Sequence, residues 1–312
     1  MDLFDKRDIK PMLIYEVQEA FDSNEYIYEI KWDGIRCISY LDKDNTDMRN
    51  KRNKMMIPIF PELAELHKRV KEKCILDHEL VVLINGMPDF REIQRRSIMT
   101  KPLKIQLSAD RLPASIIAYD ILYYKDKDIT GLPITERKKY LEEVVIESNR
   151  LVVSRHIETY GIELFNQVKG MGLEGIVAKR KESTYRQGKK NKDWIKCKVM
   201  STVDCVVCGY VIKEKGMSSI VIGLYNGSEL VYKGHVSLGV SIKKLIKHGI
   251  ERIGYSPFGY IPRGNENAVW IEPNLVCIVE YMKTEKEAFR QATFKGIRDD
   301  KLPEECQVDS AV

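Results

Sequence analysis

The pattern of apolar residues changes near residue 200, and this change constrains the fold more than any other feature of the sequence. Before it, apolar runs of strand length alternate with segments of helical periodicity, which is typical of a mixed α+β domain. After it, short apolar runs are divided by glycines. Since 312 residues exceed what one hydrophobic core usually serves, we predict two domains, 1–199 and 200–312.

In the first domain, we predict antiparallel sheets with flanking helices. Strands are expected at 26–41 (two strands around an Asp33-Gly34 turn), 74–84, 114–124, 173–180 and 193–198, and helices at 61–73, 135–148 and 161–172. Thr135 is the expected N-cap of its helix.

In the second domain, the pattern predicts five short strands and one helix, which suits a small OB-fold β-barrel. The clearest strands lie at 203–212, 219–226, 229–239 and 275–283, the helix at 241–253 and a long loop at 256–267.

Composition excludes several classes of protein. No apolar run approaches the roughly 18 residues that a membrane span needs, and the N-terminus has no apolar segment typical of a secretory signal. Seven cysteines without disulfide-like spacing indicate a reducing cytoplasm. A net charge of +5 permits a nucleic-acid partner without requiring one.

Positive charge is concentrated at 179–198, where nine lysines and arginines face only Glu182 and Asp193. Such a run forms either a solvated loop or a track for a polyanion. Lys196 and Lys198 alternate with apolar neighbours, so we expect both on one face of a strand. Two ammonium groups held side by side repel each other unless an anion lies between them.

A second group of charges surrounds the predicted turn at Asp33-Gly34. Lys31 lies where a strand breaks, with Glu29 before it and Arg36 after it. It is either a solvated strand-end residue or a nucleophile whose pKa is lowered by burial or by neighbouring cations.

The stretch from Lys31 to Arg36 (KWDGIR) resembles the nucleotidyltransferase motif of ATP-dependent DNA ligases and of their relatives, the RNA ligases and mRNA capping enzymes. The other family motifs follow in order along essentially the whole chain, and the resemblance is greatest to the ligase domain of bacterial end-joining (LigD-type) ligases, here expected to be free-standing. These further motifs are LDHE at 76–79, AYD at 118–120, EGIVAK at 174–179, KCK at 196–198 and RDDK at 298–301. His78 stands where the family commonly has glycine.

The resemblance implies a nucleotidyltransferase (adenylation) domain, an OB-fold domain and a three-step reaction. Lys31 attacks the α-phosphate of ATP and forms lysyl-AMP, AMP moves to the 5′-phosphate of a nick, and the 3′-hydroxyl displaces AMP. Lys196 and Lys198 hold the α-phosphate, and Glu79 and Glu174 hold Mg²⁺ (or Mn²⁺).

The resemblance also implies residues for the rest of the nucleotide. Arg36 and Arg52 are expected at the ribose or the 5′-phosphate of the nick. Glu29 accepts the adenine amino group, Tyr119 stacks on the base, and Lys179 lies near the phosphates.

In the second domain, Arg298, Asp300 and Lys301 are expected to orient the β- and γ-phosphates of ATP and then to swing away. The expected partners are nicked duplex DNA and a Ku-like end-binding protein, with the protein acting as a monomer in the bacterial nucleoid or a phage-infected cell.

Other interpretations remain open at this stage. An RNA ligase or a capping enzyme shares the lysyl-nucleotide chemistry, although the stretches at 60–63 and 90–96 and the C-terminal motif favour a DNA ligase. A third alternative is a non-catalytic nick-binding protein.

Single residues also have simpler interpretations. Asp77 is expected to be a turn residue at a strand end, and Asp120 to be structural. Trp32 is either a packing residue or a wall of the cleft. Alternation in an apolar strand explains Cys205 and Cys208 better than a zinc site does.

Overall fold

The computed structural model of the chain describes residues 2–17, 19–212, 218–237, 250–282 and 289–308. The chain divides into two compact units, Met1–Val199 and Met200–Val312. Each unit has a hydrophobic core of its own.

The first unit contains two mainly antiparallel sheets. The five-stranded sheet has the order β1 (Leu13–Val17), β12 (Lys190–Lys198), β11 (Gly175–Arg180), β2 (Ser23–Ile30) and β10 (His156–Thr159). The edge strand β1 runs parallel to β12, and the other neighbours are antiparallel. The N-terminal strand therefore lies beside the basic strand.

The second sheet of this unit has seven strands. Its main path is β4 (Thr46–Asn50), β3 (Ile35–Leu41), β5 (Cys74–Ile84), β7 (Ala114–Tyr124) and β8 (Lys127–Asp128), while β6 (Met87–Pro88) pairs with β5 and β9 (Leu151–Val153) pairs with β7. The predicted strands at 74–84, 114–124 and 173–180 are confirmed. Two strands also flank Asp33-Gly34, but β2 and β3 belong to different sheets.

Helices cover the sheets of the first unit. They are α1 (Leu3–Lys6), α2 (Phe90–Ser97), α3 (Pro102–Arg111), α4 (Ile134–Val144) and α5 (Gly161–Gly170). The helices expected at 135–148 and 161–172 are confirmed with shorter ends, but the cap of α4 is Pro133 and not Thr135, whose hydroxyl donates to Lys181 O instead. No helix among the described residues has the length and apolar composition to cross a membrane.

The prediction of a helix at 61–73 is wrong. The segment forms two single 3₁₀ turns, Pro61–Leu63 and Leu66–Arg69, and then becomes extended at Val70. Leu63 and Leu66 are buried, so the apolar spacing is real. The helix does not continue because Val70 forms a β-bridge with Val145 and because the N–H of Lys71 donates to Val144 O (2.9 Å).

The second unit is a closed five-stranded barrel, which confirms the predicted fold class. Its order is β13 (Ser201–Ile212), β14 (Ser218–Asn226), β15 (Glu229–Ser237), β17 (Arg290–Arg298) and β16 (Val269–Met282). Residues 256–267 form turns between strands, as predicted. The parts of the predicted segments at 238–249 and at 283 lie outside the described residues, and 250–253 is not helical.

The core of the barrel contains the cysteines that sequence analysis weighed as a zinc pair. Cys205 and Cys208 are both fully buried among apolar strand residues, and Cys205 pairs across the sheet with Cys277. Their burial in this core fits the packing interpretation.

Candidate active site

The turn at residues 31–34 crosses from one sheet of the first unit to the other. β2 ends at Ile30 in the five-stranded sheet, and β3 begins at Ile35 in the seven-stranded sheet. The chain passes so close to β5 that a Cβ on Gly34 would lie 2.3 Å from Leu80 O, so only glycine fits there. Lys31 therefore stands where the two sheets meet.

Six of the predicted site residues line one open pocket of about 440 Å³: Glu29, Lys31, Arg36, Glu79, Tyr119 and Lys179. They come from strands of both sheets. Trp32 lines the same pocket, which favours its interpretation as a wall of the cleft. Trp194 also lines it and was missed by sequence analysis. The pocket thus brings residues of both sheets to one concave surface, which is where small ligands usually bind.

Lys31 is held by an acidic partner. Its Nζ donates to Glu174 Oε2 (2.5 Å), and the side chains of the two residues are 20% and 5% exposed. The backbone fixes both residues, because the N–H of Lys31 donates to Gly175 O and the N–H of Val199 donates to Glu174 O (both 2.8 Å). This ion pair must open before Lys31 Nζ can contact another partner.

Lys196 and Lys198 lie on one face of β12, as predicted, and an anion lies between them. That anion is Glu16 on β1, with Oε2 2.9 Å from Lys196 Nζ and Oε1 3.0 Å from Lys198 Nζ. Partial burial acts against the ionised form of Glu16, but the two lysines outweigh it and lower the pKa of that carboxyl. Sequence analysis missed Glu16.

These charges alternate along one row. Lys31 pairs with Glu174, Glu174 acts electrostatically on Lys198, and Glu16 links Lys198 to Lys196. Burial lowers the pKa of Lys198, and the neighbouring Lys196 acts in the same direction. We call these five residues the charge row.

Glu29 lies deeper, in a group of three residues that are each 2% exposed, which we call the buried cluster: Glu29, Lys138 and Lys179. Glu29 Oε1 is 2.9 Å from Lys179 Nζ and 3.0 Å from Lys138 Nζ. Burial disfavours the charge on Glu29, but the two lysines hold the pKa of its carboxyl below the usual value. Sequence analysis missed Lys138, although a lysine on the apolar face of α4, between Ile134 and Leu141, was a usable signal.

Lys179 also lies against two aromatic rings. Its Nζ is 4.7 Å from the ring centroid of Tyr119 and 4.4 Å from that of Trp194. The two rings meet edge to face, with centroids 6.4 Å apart. Such contacts stabilise a buried cation and fix the ring planes. In the structure, Lys179 contacts Glu29 of the buried cluster and the two rings. The family resemblance had implied a position near the phosphates.

Arg36 is fixed by Asp77. Its Nε and Nη2 donate to the two carboxylate oxygens of Asp77 (2.9 and 2.5 Å), and Tyr185 Oη donates to Asp77 Oδ2 (2.7 Å). Burial acts against the charge on Arg36, but Asp77 raises its pKa well above the usual value. Asp77 lies within β5 and is fully buried, so its interpretation as a turn residue at a strand end is wrong. Asp120 is structural, as expected, because it forms a buried bidentate ion pair with Arg137.

Glu79 faces the pocket, and its neighbour His78 faces away from it. Burial raises the pKa of the Glu79 carboxyl to about 8, although Lys31 and Arg36 act in the opposite direction. Glu174 contributes to that rise, so the two carboxylates repel each other. His78 is buried on the other face of β5, where its Nε2 is 2.8 Å from Ser39 Oγ, and burial lowers its pKa to about 4. The replacement of glycine by His78 therefore does not crowd the pocket.

The remaining predicted residues lie elsewhere. Arg52 is exposed in the turn after β4, where its N–H donates to Asn50 Oδ1 (2.9 Å), and it does not line the pocket. In the second unit, Asp204 binds both Arg298 Nη1 (2.7 Å) and Lys301 Nζ (2.8 Å). Asp300 binds Arg298 Nε (3.0 Å), so the three predicted residues form one cluster. Sequence analysis missed Asp204.

Comparisons with known proteins identify the family to which a chain with this site belongs. Residues 11–198 match the family model described as ATP dependent DNA ligase domain, and residues 213–301 match that described as ATP dependent DNA ligase C terminal region. DNA ligase C of Mycobacterium tuberculosis is 30% identical over 315 residues, which cover 89% of this chain and 87% of that protein. The chain therefore belongs to the ATP-dependent DNA ligase family.

Two further likenesses concern the end-joining ligases. The multifunctional non-homologous end joining protein LigD of Mycolicibacterium smegmatis is 29% identical over 96% of this chain, but the chain spans only 39% of the length of that protein. The structure of mycobacterial DNA ligase D complexed with ATP and MES has a TM-score of 0.57 and 24% identity, and the match covers 98% of this chain and 99% of that chain. The second likeness shows the shared fold.

Proposed function

We propose that the protein seals nicks between a 5′-phosphate and a 3′-hydroxyl in duplex DNA, through lysyl-AMP on Lys31 and a DNA-adenylate. The observation that carries this proposal is the position of Lys31, which lines the open pocket and lies at the end of the charge row. Membership of the ligase family supplies the reaction class.

In the first step, Lys31 Nζ forms a bond to the α-phosphorus of ATP, and the bond to the bridging oxygen breaks, so pyrophosphate leaves. Lys31 must first lose a proton, which requires its ion pair with Glu174 to open. Lys196 and Lys198 stabilise the negative charge that builds on the α-phosphate oxygens.

The acidic residues of the pocket fit a divalent cation, Mg²⁺ or Mn²⁺. Burial raises the pKa of the Glu79 carboxyl, Glu174 acts in the same direction, and a bound cation would favour the ionised form of both residues. Glu79 and Glu174 would hold the cation, because Mg²⁺ is usually bound by one or two carboxylates and keeps several waters. When bound, the cation neutralises phosphate charge.

The buried cluster and the aromatic rings bind the base. Glu29 is ionised, so it can only accept a hydrogen bond, which suits the amino group of adenine. Tyr119 stacks on the base. Lys179, through its contacts with Glu29 and Tyr119, belongs to this end of the site, and Arg36 binds the ribose or the 5′-phosphate of the nick. Arg52, which lies outside the pocket, binds the 5′-phosphate of the nick.

Residues 1–199 form the adenylation domain, and residues 200–312 form the OB-fold domain. Arg298, Asp300 and Lys301 orient the β- and γ-phosphates of ATP in a closed state and move away for DNA binding. Their grouping around one carboxylate, Asp204, supports a common phosphate partner.

DNA binds along the exposed part of the basic run, and the protein acts as a monomer. Arg186, Lys189, Lys190 and Lys192 are exposed there. The likeness to LigD supports a role in DNA repair or end joining beside a Ku-like end-binding protein. The seven free, buried cysteines support a location in the reducing bacterial cytoplasm, at the nucleoid or in a phage-infected cell.

A two-stage labelling experiment tests the proposal. Purified protein is incubated with α-labelled ATP and Mg²⁺, and excess nicked duplex DNA with a 5′-phosphate is then added. We expect label on the protein that leaves when DNA is added, together with sealed product. Label that stays until nicked RNA is supplied would identify an RNA ligase, label only from GTP a capping enzyme, and no label at all a non-catalytic protein.

A further inference from the structure

The space between the ammonium groups of Lys196 and Lys198, which we call the phosphate seat, is filled by a carboxylate of the protein itself. Each oxygen of Glu16 binds one of the two ammonium groups, at 2.9 and 3.0 Å. A phosphate group offers the same pair of negatively charged oxygens to two lysines. Glu16 therefore occupies the place that an anionic ligand of these lysines needs.

The face of the sheet that carries Glu16 is the face of the pocket. Lys196 pairs in register with Glu16 on one side and with Val177 on the other, and Val177 lines the pocket. Ile14, two residues before Glu16 on the same strand, lines it as well. The carboxylate thus lies on the same face of the sheet as these lining residues, although the register of β1 with β12 shifts between Ile14 and Tyr15.

The contact of Glu16 is exchangeable. The Glu16 side chain is 48% exposed and belongs to β1, an edge strand with β12 as its neighbour in the sheet. Ion pairs with this exposure contribute little to stability, because water and salt screen them. By contrast, Lys198 is only 7% exposed, so the cationic side of the seat is fixed while its anion can leave.

We propose that Glu16 is a built-in counter-ion of the phosphate seat, which the phosphates of the nucleotide displace when they bind and which returns when they leave. The carboxylate offsets the repulsion between Lys196 and Lys198 in the free protein and weakens phosphate binding by direct competition. Glu16 is a positioning residue, because it touches the lysines and not the reacting atoms. The identity of the displaced ligand rests on the proposed function.

The first test measures anion binding without turnover. The full chain is titrated with inorganic pyrophosphate by calorimetry, as wild type and as Glu16→Gln. Loss of the competing charge should tighten pyrophosphate binding about twofold to fivefold, the range expected for partly exposed ion pairs. Glu19→Gln, which removes the same charge at an exposed position beyond β1, should change nothing. Unchanged or weaker binding by Glu16→Gln overturns the proposal.

The second test separates competition from a structural role. In the labelling reaction, Glu16→Gln should lower the KM for ATP by a similar factor while kcat stays within about twofold. Glu16→Asp keeps the charge on a shorter side chain, which should restore most of the wild-type KM. In a Lys196→Met background, Glu16→Gln should have a much smaller effect on pyrophosphate binding. A fall in kcat without a fall in KM would overturn the proposal in favour of a structural role.

The two proposals fail in different ways. If the wild type takes no label from ATP, the ligase proposal fails, while the pyrophosphate titration still decides whether Glu16 competes for the seat. If the wild type is labelled and Glu16→Gln matches Glu19→Gln in both tests, the counter-ion proposal fails alone.

Discussion

The buried cluster and the charge row hold similar charged side chains, but these differ in their exposure to solvent. In the buried cluster, Glu29, Lys138 and Lys179 are each 2% exposed, and one carboxylate oxygen lies within 3.0 Å of both ammonium groups. In the charge row, Lys31 and Lys196 are 20% and 24% exposed, and Glu16, the partner of Lys196, is 48% exposed. A fixed ion pair shapes a site for a ligand that binds in one way, whereas an exchangeable pair suits phosphates that enter, react and leave.

The largest effect on activity should come from the charge row. Lys31→Ala removes the only proposed nucleophile, so protein labelling by α-labelled ATP should fall more than about 1,000-fold. The protein should remain folded, with a modestly lower melting temperature, because Glu174 is only 5% exposed and loses its partner. Lys43→Ala, in the exposed loop after β3, is the control. Retained labelling of Lys31→Ala would remove Lys31 from its role.

The largest effect on stability should come from the buried cluster. Lys138→Met leaves Glu29 with one cation fewer in a dry environment, which should lower the free energy of unfolding by about 3 kcal/mol. Lys139→Met is a matched control, because the neighbouring Lys139 is 72% exposed in its ion pair with Glu136 and should cost less than about 0.5 kcal/mol. Urea denaturation compares the two variants. Equal losses would mean that burial does not make the ion pairs of the buried cluster more important for stability than a surface ion pair.

A substitution in a third cluster, the one around Asp204, should slow one step of the reaction. Arg298→Ala should slow the reaction with ATP about 10- to 100-fold, yet change the sealing of a pre-adenylylated nick less than about threefold, because only the first step uses the β- and γ-phosphates. Lys295→Ala, on the same strand and paired with Glu280, is the control. Equal losses in both steps would contradict the movement of the second domain.

The smallest effect should come from the fully exposed lysines. Lys190→Ala and Lys192→Ala should each weaken binding to nicked DNA and each reduce the slope of log K against log salt by about 1, since each lysine neutralises about one phosphate. Binding is measured by fluorescence anisotropy at several salt concentrations, with Lys139→Ala as the control. A slope equal to that of the wild type would show that this part of the basic run does not touch DNA.

The longer strands and the barrel could be predicted from local apolar patterns, and the six pocket residues through the resemblance of their motifs to the ligase family. Glu16, Lys138 and Asp204 could not, because their partners are distant in sequence and an ion pair leaves no periodic trace. The segment 61–73 failed for a related reason: its apolar spacing is helical, but hydrogen bonds to the end of α4 determine its backbone.

The ion pair between Lys31 and Glu174 has a consequence for timing. Once Lys31 carries AMP, its nitrogen is an amide of phosphoric acid and no longer a cation. Glu174 then loses the charge that held it, and the mouth of the pocket becomes more negative at the moment the first step ends. Completion of adenylylation thus changes the electrostatic field in which the later steps occur. The covalent intermediate itself therefore distinguishes the adenylylated protein, which can react with DNA, from the free protein.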